Sequence, residues 1–249
     1  MSQSPGLIKM MATISIPMST KNSTSHLQNP SLLKLMRLTS PSLPIGGYSY
    51  SQGLEFAISS GWVHDASTAS DWIQGLLKNS LINLDLPVLQ KLYEAWQESG
   101  TDRVRYWNNF LSANRDAFEL QEEDRQLGKA LARLLVDLGL EEAKPFLNPP
   151  YGGFLTLYAL AAVRWNISLN DAAHGFLWMW AENKVLCAMK LIPLGQTDGQ
   201  KILSAVIETI SHVIMRGLDL PDEDIGYTTP AQGIASALHE TQYTRLFRS

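Results

Sequence analysis

Helical spacing runs through this chain with little interruption, and it excludes most folds at once. From Leu32 onward, apolar residues recur three and four positions apart. Apolar–polar alternation with β-branched enrichment never persists for five positions. Residues that share one face of a 3.6-residue helix cannot share one face of a strand. The expected fold is therefore all-α: a single-domain helical bundle of about nine or ten helices, without an internal repeat or a second domain.

The stops and caps divide this pattern. Ser31 is a cap for a short helix carrying Leu32, Leu33, Leu35, Met36 and Leu38, stopped by Pro41 and Pro44. Ser49 and Gln52 have the S-x-x-Q spacing of a capping box, predicting a helix to about Ser60 with Gly61 as its stop. Asp65 caps a third helix, with Ala69, Trp72, Ile73, Leu76, Leu77 and Leu81 on one face. Asp85 and Pro87 open a fourth, striped by Val88, Leu89, Leu92, Tyr93 and Trp96 and ended by Gly100. A more polar helix is expected over 101–114.

Residues 115–140 form a long amphipathic pattern. Phe118, Leu127, Leu131, Leu134, Leu135 and Leu138 are expected inside, and Glu119, Glu122, Glu123, Asp124 and Arg125 on a solvated face. Lys144 to Gly153 reads as a loop, and Phe154–Trp165 as a buried helix. Asn170 is a cap for a helix to about Leu191. Thr197 and Gln200 again fit a capping box, with a helix from about Asp198 to Met215 and Gly217 as its stop. An acidic loop over 218–228 leads to a last helix opened by Thr229 and Pro230 and ending near Glu240.

Composition narrows the function. A 249-residue chain that is 45% hydrophobic can bury one sizeable core. Its charged fraction, 18%, is low for a water-facing surface, which suggests that an oligomer or a partner covers part of it. Net charge is −4 and Lys and Arg do not cluster, so no nucleic-acid partner is expected. No apolar run approaches the ~20 residues of a membrane span. Cys187 is alone, so the chain can form no internal disulfide and fits a reducing cytoplasm; within its apolar stripe it reads as a buried, inert thiol. Residues 1–30 are rich in Ser, Thr and Met, and no Asp or Glu precedes Glu55. They read as a disordered extension in which Met10, Met11 and Met18 are alternative starts.

Catalytic signatures are missing. The sequence contains no P-loop, no G-x-S-x-G elbow, no H-E-x-x-H and no pair of E-x-x-H units. The five histidines share no metal-ligand spacing. Glu208 and His212 read as a surface pair, and His239 as part of a solvated helix end. No cofactor and no metal ligand set is expected.

Four stretches carry a family resemblance. LTSPSLPIGGYSYSQGLEFAISSGWV (38–63), EEDRQLGKALARLL (122–135), LIPLGQTDGQKIL (191–203) and HETQYTRLFRS (239–249) resemble, in order, segments of the urease accessory protein UreF family. The resemblance spans about Leu32 to Ser249. It implies an all-α, non-enzymatic maturation chaperone, typically dimeric. With UreD (also called UreH), such a protein recruits the GTPase UreG and delivers nickel to apo-urease.

Within the first stretch, Pro41 and Pro44 stiffen the chain and Gly46-Gly47 frees its dihedrals. Tyr48, with Glu55 nearby, is the expected contact for the UreD-like partner or the dimer mate, with core packing of one tyrosine as the alternative. Gln196 and Asp198 project from the late turn, where a plain helix start is the alternative. In the tail over 241–249, Tyr243, Arg245, Leu246, Phe247 and Arg248 are expected to be flexible alone and to order on a partner. The competing expectation is a tail docked on its own core. Two other functions are open to the sequence: a stand-alone nickel or zinc carrier, and a helical enzyme with an unrecognised site.

Overall fold

A computed structural model of the chain describes residue 1, residues 30–150 and residues 152–249; the disorder expected for the extension falls outside the described residues. Among the described residues there are ten α-helices and no strand, in a single helical domain, as the periodicity predicts. The helices are α1 (Pro30–Leu38), α2 (Leu54–Ser59), α3 (Ala66–Leu76), α4 (Asp85–Gln97), α5 (Thr101–Ala113), α6 (Phe118–Asp137), α7 (Phe154–Arg164), α8 (Leu169–Leu191), α9 (Gln196–Leu218) and α10 (Pro230–His239). Between α3 and α4 the backbone widens over Leu77–Leu81 to a five-residue hydrogen-bond step, Ile82 N–H to the Leu77 carbonyl at 3.2 Å.

Helix α7 is central because it has no polar face. Every residue from Phe154 to Ala162 is buried, so water-facing helices must surround it. It packs on α4, α5, α6 and α8, and α8 packs in turn on α9. Its one buried phenol, Tyr158, donates to the Ala172 carbonyl at 2.9 Å. Trp96 on α4 donates its indole N–H to the Thr156 carbonyl at 2.9 Å. The first N–H groups of α7, which no helical carbonyl can reach, find side chains on α5 and α6. Asn108 accepts from Gly153 N–H at 2.7 Å, and Asp124 from Phe154 N–H at 3.0 Å.

Some caps fall elsewhere than the sequence predicts. Asp65 does form a reciprocal capping box with Thr68. The other two predicted boxes do not form: α2 starts at Leu54 after Gly53, and α9 at Gln196 after Gly195, both without a side-chain cap. Helix α8 is capped by Ser168, whose hydroxyl accepts from Asp171 N–H at 3.1 Å, rather than by Asn170. Part of the expected 144–153 loop is a 3-10 helix over Glu141–Leu147.

Candidate functional site

Helix α10 is built inside out. Its buried residues are Gly233, Ala235, Ser236 and His239, while Ile234 and Leu238 are 52% and 44% exposed. The Ser236 hydroxyl is buried without a hydrogen-bond partner. From Ile225 to Leu238 there is no charged side chain. The helix lies against α2 and α6. Gly53 allows this: its φ is +80°, and a Cβ there would meet the Ser236 nitrogen and hydroxyl at 2.9 Å.

The contact between these three helices is polar. His239 is fully enclosed; its Nε2 lies 3.1 Å from Glu55 Oε2 on α2, and its Nδ1 3.0 and 3.1 Å from the two Glu119 oxygens on α6. Burial pushes the imidazole down, but the Glu119 and Glu55 carboxylates outweigh it, and its pKa stands above the usual histidine value. The solvated helix end expected for His239 is thus an interior ion bridge. The charge run on α6 is also not a solvated face. Glu119 and Glu123 are buried, and Asp124 turns inward to α7, while Phe118 points outward at 68% exposure.

The chain end closes over this corner. Glu55 accepts the backbone N–H groups of Leu246 at 2.6 Å and Phe247 at 2.9 Å. Arg248 N–H donates to the Ser49 carbonyl at 2.8 Å, and the Ser249 carbonyl accepts from Ser51 and Gln52 N–H at 2.6 and 3.0 Å. The Ser249 hydroxyl donates to Glu123 at 2.8 Å. Phe247 is buried, with the Lys190 ammonium 5.6 Å from its ring centre. Where the sequence leaves this tail free, the structure seats its last four residues on the core. The reason is a slot made by residues 49–55, with Glu55 as its acceptor.

That slot is held from beneath. Gln52 sits at φ +57°, an unfavourable conformation for a side-chain-bearing residue. Its amide is locked on both sides, donating to Glu123 at 2.8 Å and accepting from the Trp180 indole at 2.8 Å. The Tyr50 carbonyl takes Asn183 at 3.1 Å and Lys184 at 3.2 Å. Burial lowers the pKa of Lys184 and raises that of Glu123, each partly offset by the charge of the other. A cavity of about 140 Å³ lies alongside, lined by Gln52, Asp85, Arg115, Glu123, Asp124 and Lys184. Arg115 pairs with Asp85 at 2.6 Å; burial opposes its charge, but Asp85 and Asp124 more than offset that and raise its pKa.

The expected contact residues divide between surface and interior. Tyr48 (63%), Tyr243 (103%) and Leu246 (65%) are exposed, as are Arg245 and Arg248. Arg245 reaches to 3.9 Å from Glu119. Glu55 and Phe247 are buried within the chain, where they position the tail. Tyr50 is the tyrosine that packs inside. Gln196 and Asp198 stand apart at the start of α9, Asp198 pairing with Lys201 at 3.2 Å. Cys187 is buried, and burial raises its thiol pKa, as suits an inert side chain. Among the described residues, no group of three or more His, Cys, Asp or Glu is placed to hold a metal ion. The sequence reading missed His239, Glu119 and Glu123. Helical spacing carries a signal for the two carboxylates: Glu119, Glu123, Leu127, Leu131 and Leu135 recur every four residues and share the buried face of α6.

Comparison with known proteins settles the family. The family model described as UreF matches residues 63–207. The chain belongs to the UreF family. It is 50% identical over 223 residues to a urease accessory protein UreF of Alkalilimnicola ehrlichii, covering 89% of this chain and 98% of that one. A UreF of Teredinibacter turnerae is 49% identical over 222 residues, 89% of this chain and 100% of its own. One of Hahella chejuensis is 45% identical over 218 residues, 88% and 98% respectively. Each of these relatives is named a urease accessory protein.

Proposed function

We infer that this UreF-family chain is a scaffold of urease maturation, which with a UreD (UreH) accessory protein recruits the GTPase UreG and couples it to nickel insertion into apo-urease. The names of its relatives supply the urease context. The observation that carries the scaffold role is the outward apolar face of α10, uncharged from Ile225 to Leu238, beside the exposed Tyr243 and Leu246. A soluble helix normally turns such a stripe inward. Turned outward and joined to a seated tail, it makes a docking face with apolar anchors and an arginine rim from Arg245 and Arg248. Tyr48 is a second anchor, and Gln196 and Asp198 contribute from a separate corner. A second copy of the chain, giving a homodimer, and a cytoplasmic setting belong to the same reading.

The test is light scattering of the chain mixed with its UreD-like partner. The unmodified chain should form a complex. The pair Ile234→Asp with Leu238→Asp should weaken it by at least about tenfold in Kd, as expected for two lost hot-spot side chains. No complex with the unmodified chain would overturn the scaffold reading. Unchanged affinity in the pair would move the contact away from α10.

A further inference from the structure

We propose that the Glu55–His239–Glu119 bridge is a proton-controlled latch, which holds residues 246–249 on the body of the chain and releases them as the imidazole loses its proton. A neutral imidazole has a single N–H donor. Here both ring nitrogens face carboxylates, Glu119 at 3.0 Å and Glu55 at 3.1 Å, inside a site closed to water. Only the imidazolium donates to both. The Glu55 oxygen that meets Nε2 also accepts Phe247 N–H, and its other oxygen accepts Leu246 N–H. One proton on His239 therefore fixes the acceptor that fixes the tail. Without it, the Nε2 lone pair confronts Glu55, and that carboxylate is no longer held in line with the two amides.

The surrounding charges favour the protonated form. Helix α2 contributes Glu55. Helix α6 contributes Glu119 and, one turn on, Glu123, which takes the Ser249 hydroxyl. Glu240, next to His239, accepts from Glu119 N–H at 3.3 Å. The cations are farther out: Arg245 at 3.9 Å from Glu119, Arg248 at the Tyr50 hydroxyl, Lys184 at the Tyr50 carbonyl and Lys190 over Phe247. Two carboxylates face one imidazole directly, so its pKa is raised in the folded chain. The stabilisation is complete below the free histidine value of about 6.5 and is lost as pH rises through the raised value. Release would display Phe247, which the seated tail keeps buried, and uncover the 49–52 edge. That consequence for partners rests on the docking reading above; the latch itself does not.

The experiment uses the full chain alone, so that its result is independent of any partner. Hydrogen-exchange protection of amides 246–249 is measured from pH 6 to 9, corrected for intrinsic rate and referenced to the amides of α7. The ¹⁵N shifts of the His239 ring, assigned by their loss in His239→Gln, are followed in parallel. At pH 6 the ring should be imidazolium. Across its titration, tail protection should fall by roughly tenfold or more while α7 protection holds. Glu119→Gln should lower the shared midpoint by about one pH unit and leave the tail protected below it. It also carries the test if His239→Gln does not fold. A neutral ring at pH 6, a titration that leaves tail protection unchanged, or a midpoint that Glu119→Gln does not move would each overturn the latch.

Discussion

The contact between α4 and α7 and the corner where α10 meets α2 and α6 are both closed to water, yet they are made of opposite materials. The first joins two helices whose Leu89, Leu92, Leu157 and Leu160 have no exposed surface. The second is filled by Glu55, Glu119 and His239, and continues through Glu123 and Lys184 to Asp85 and Arg115. Apolar contacts are tolerant, because neighbouring leucines can shift and still exclude water. A buried charge tolerates no such shift, since losing its partner leaves an unpaired ion. The α4–α7 contact can therefore supply stability, and the polar corner can supply a defined arrangement of the chain end.

The sharpest way to break this comparison is to remove one buried ion. Arg115→Ala leaves Asp85, only 5% exposed, and the nearby Asp124 without their cation. A loss of about 3–5 kcal/mol is expected in urea unfolding. Replacing both partners, Asp85→Leu with Arg115→Met, should recover most of it, because the cost lies in the orphaned charge more than in the absent pair. A double variant as unstable as Arg115→Ala would show that the pair itself contributes the stability. On the apolar side, Leu92→Ala should cost about 3 kcal/mol through lost burial and a residual cavity. That loss should not vary between pH 6 and 9, whereas the tail's protection should.

The same division explains what could be read in advance. Helices α3, α4 and α7 follow the sequence pattern because their burial is decided by neighbours three and four positions away. On α6 the residue types misled. Phe118 looks like core and faces out; Glu119 and Glu123 look like surface and face in. Their partners are His239, Gln52 and Ser249, which lie 71 to 126 positions away in the chain. Periodicity is local and cannot register a pairing made at that distance. The tail is a similar case. Phe247 has a slot because Glu55, 192 positions earlier, accepts its N–H. The family resemblance drew attention to 38–63 and 239–249 as separate motifs, and the structure makes them one site.

The smallest expected effect on stability is the most informative about function. Ile234→Asp with Leu238→Asp places two charges on side chains that are already 52% and 44% exposed. Exposed substitutions away from caps and cores change stability by about 0.5 kcal/mol or less, so the urea midpoint of the isolated chain should barely move. Gly233, Ala235, Ser236 and His239, which hold α10 in place, are untouched. A loss well beyond about 1 kcal/mol would mean that this face already packs within the chain's own fold, and the outward stripe would need no partner to explain it. An unmoved midpoint together with a weakened complex would separate the two jobs of α10: His239 on its inner side holds the fold and the tail, and Ile234 and Leu238 on its outer side meet another protein.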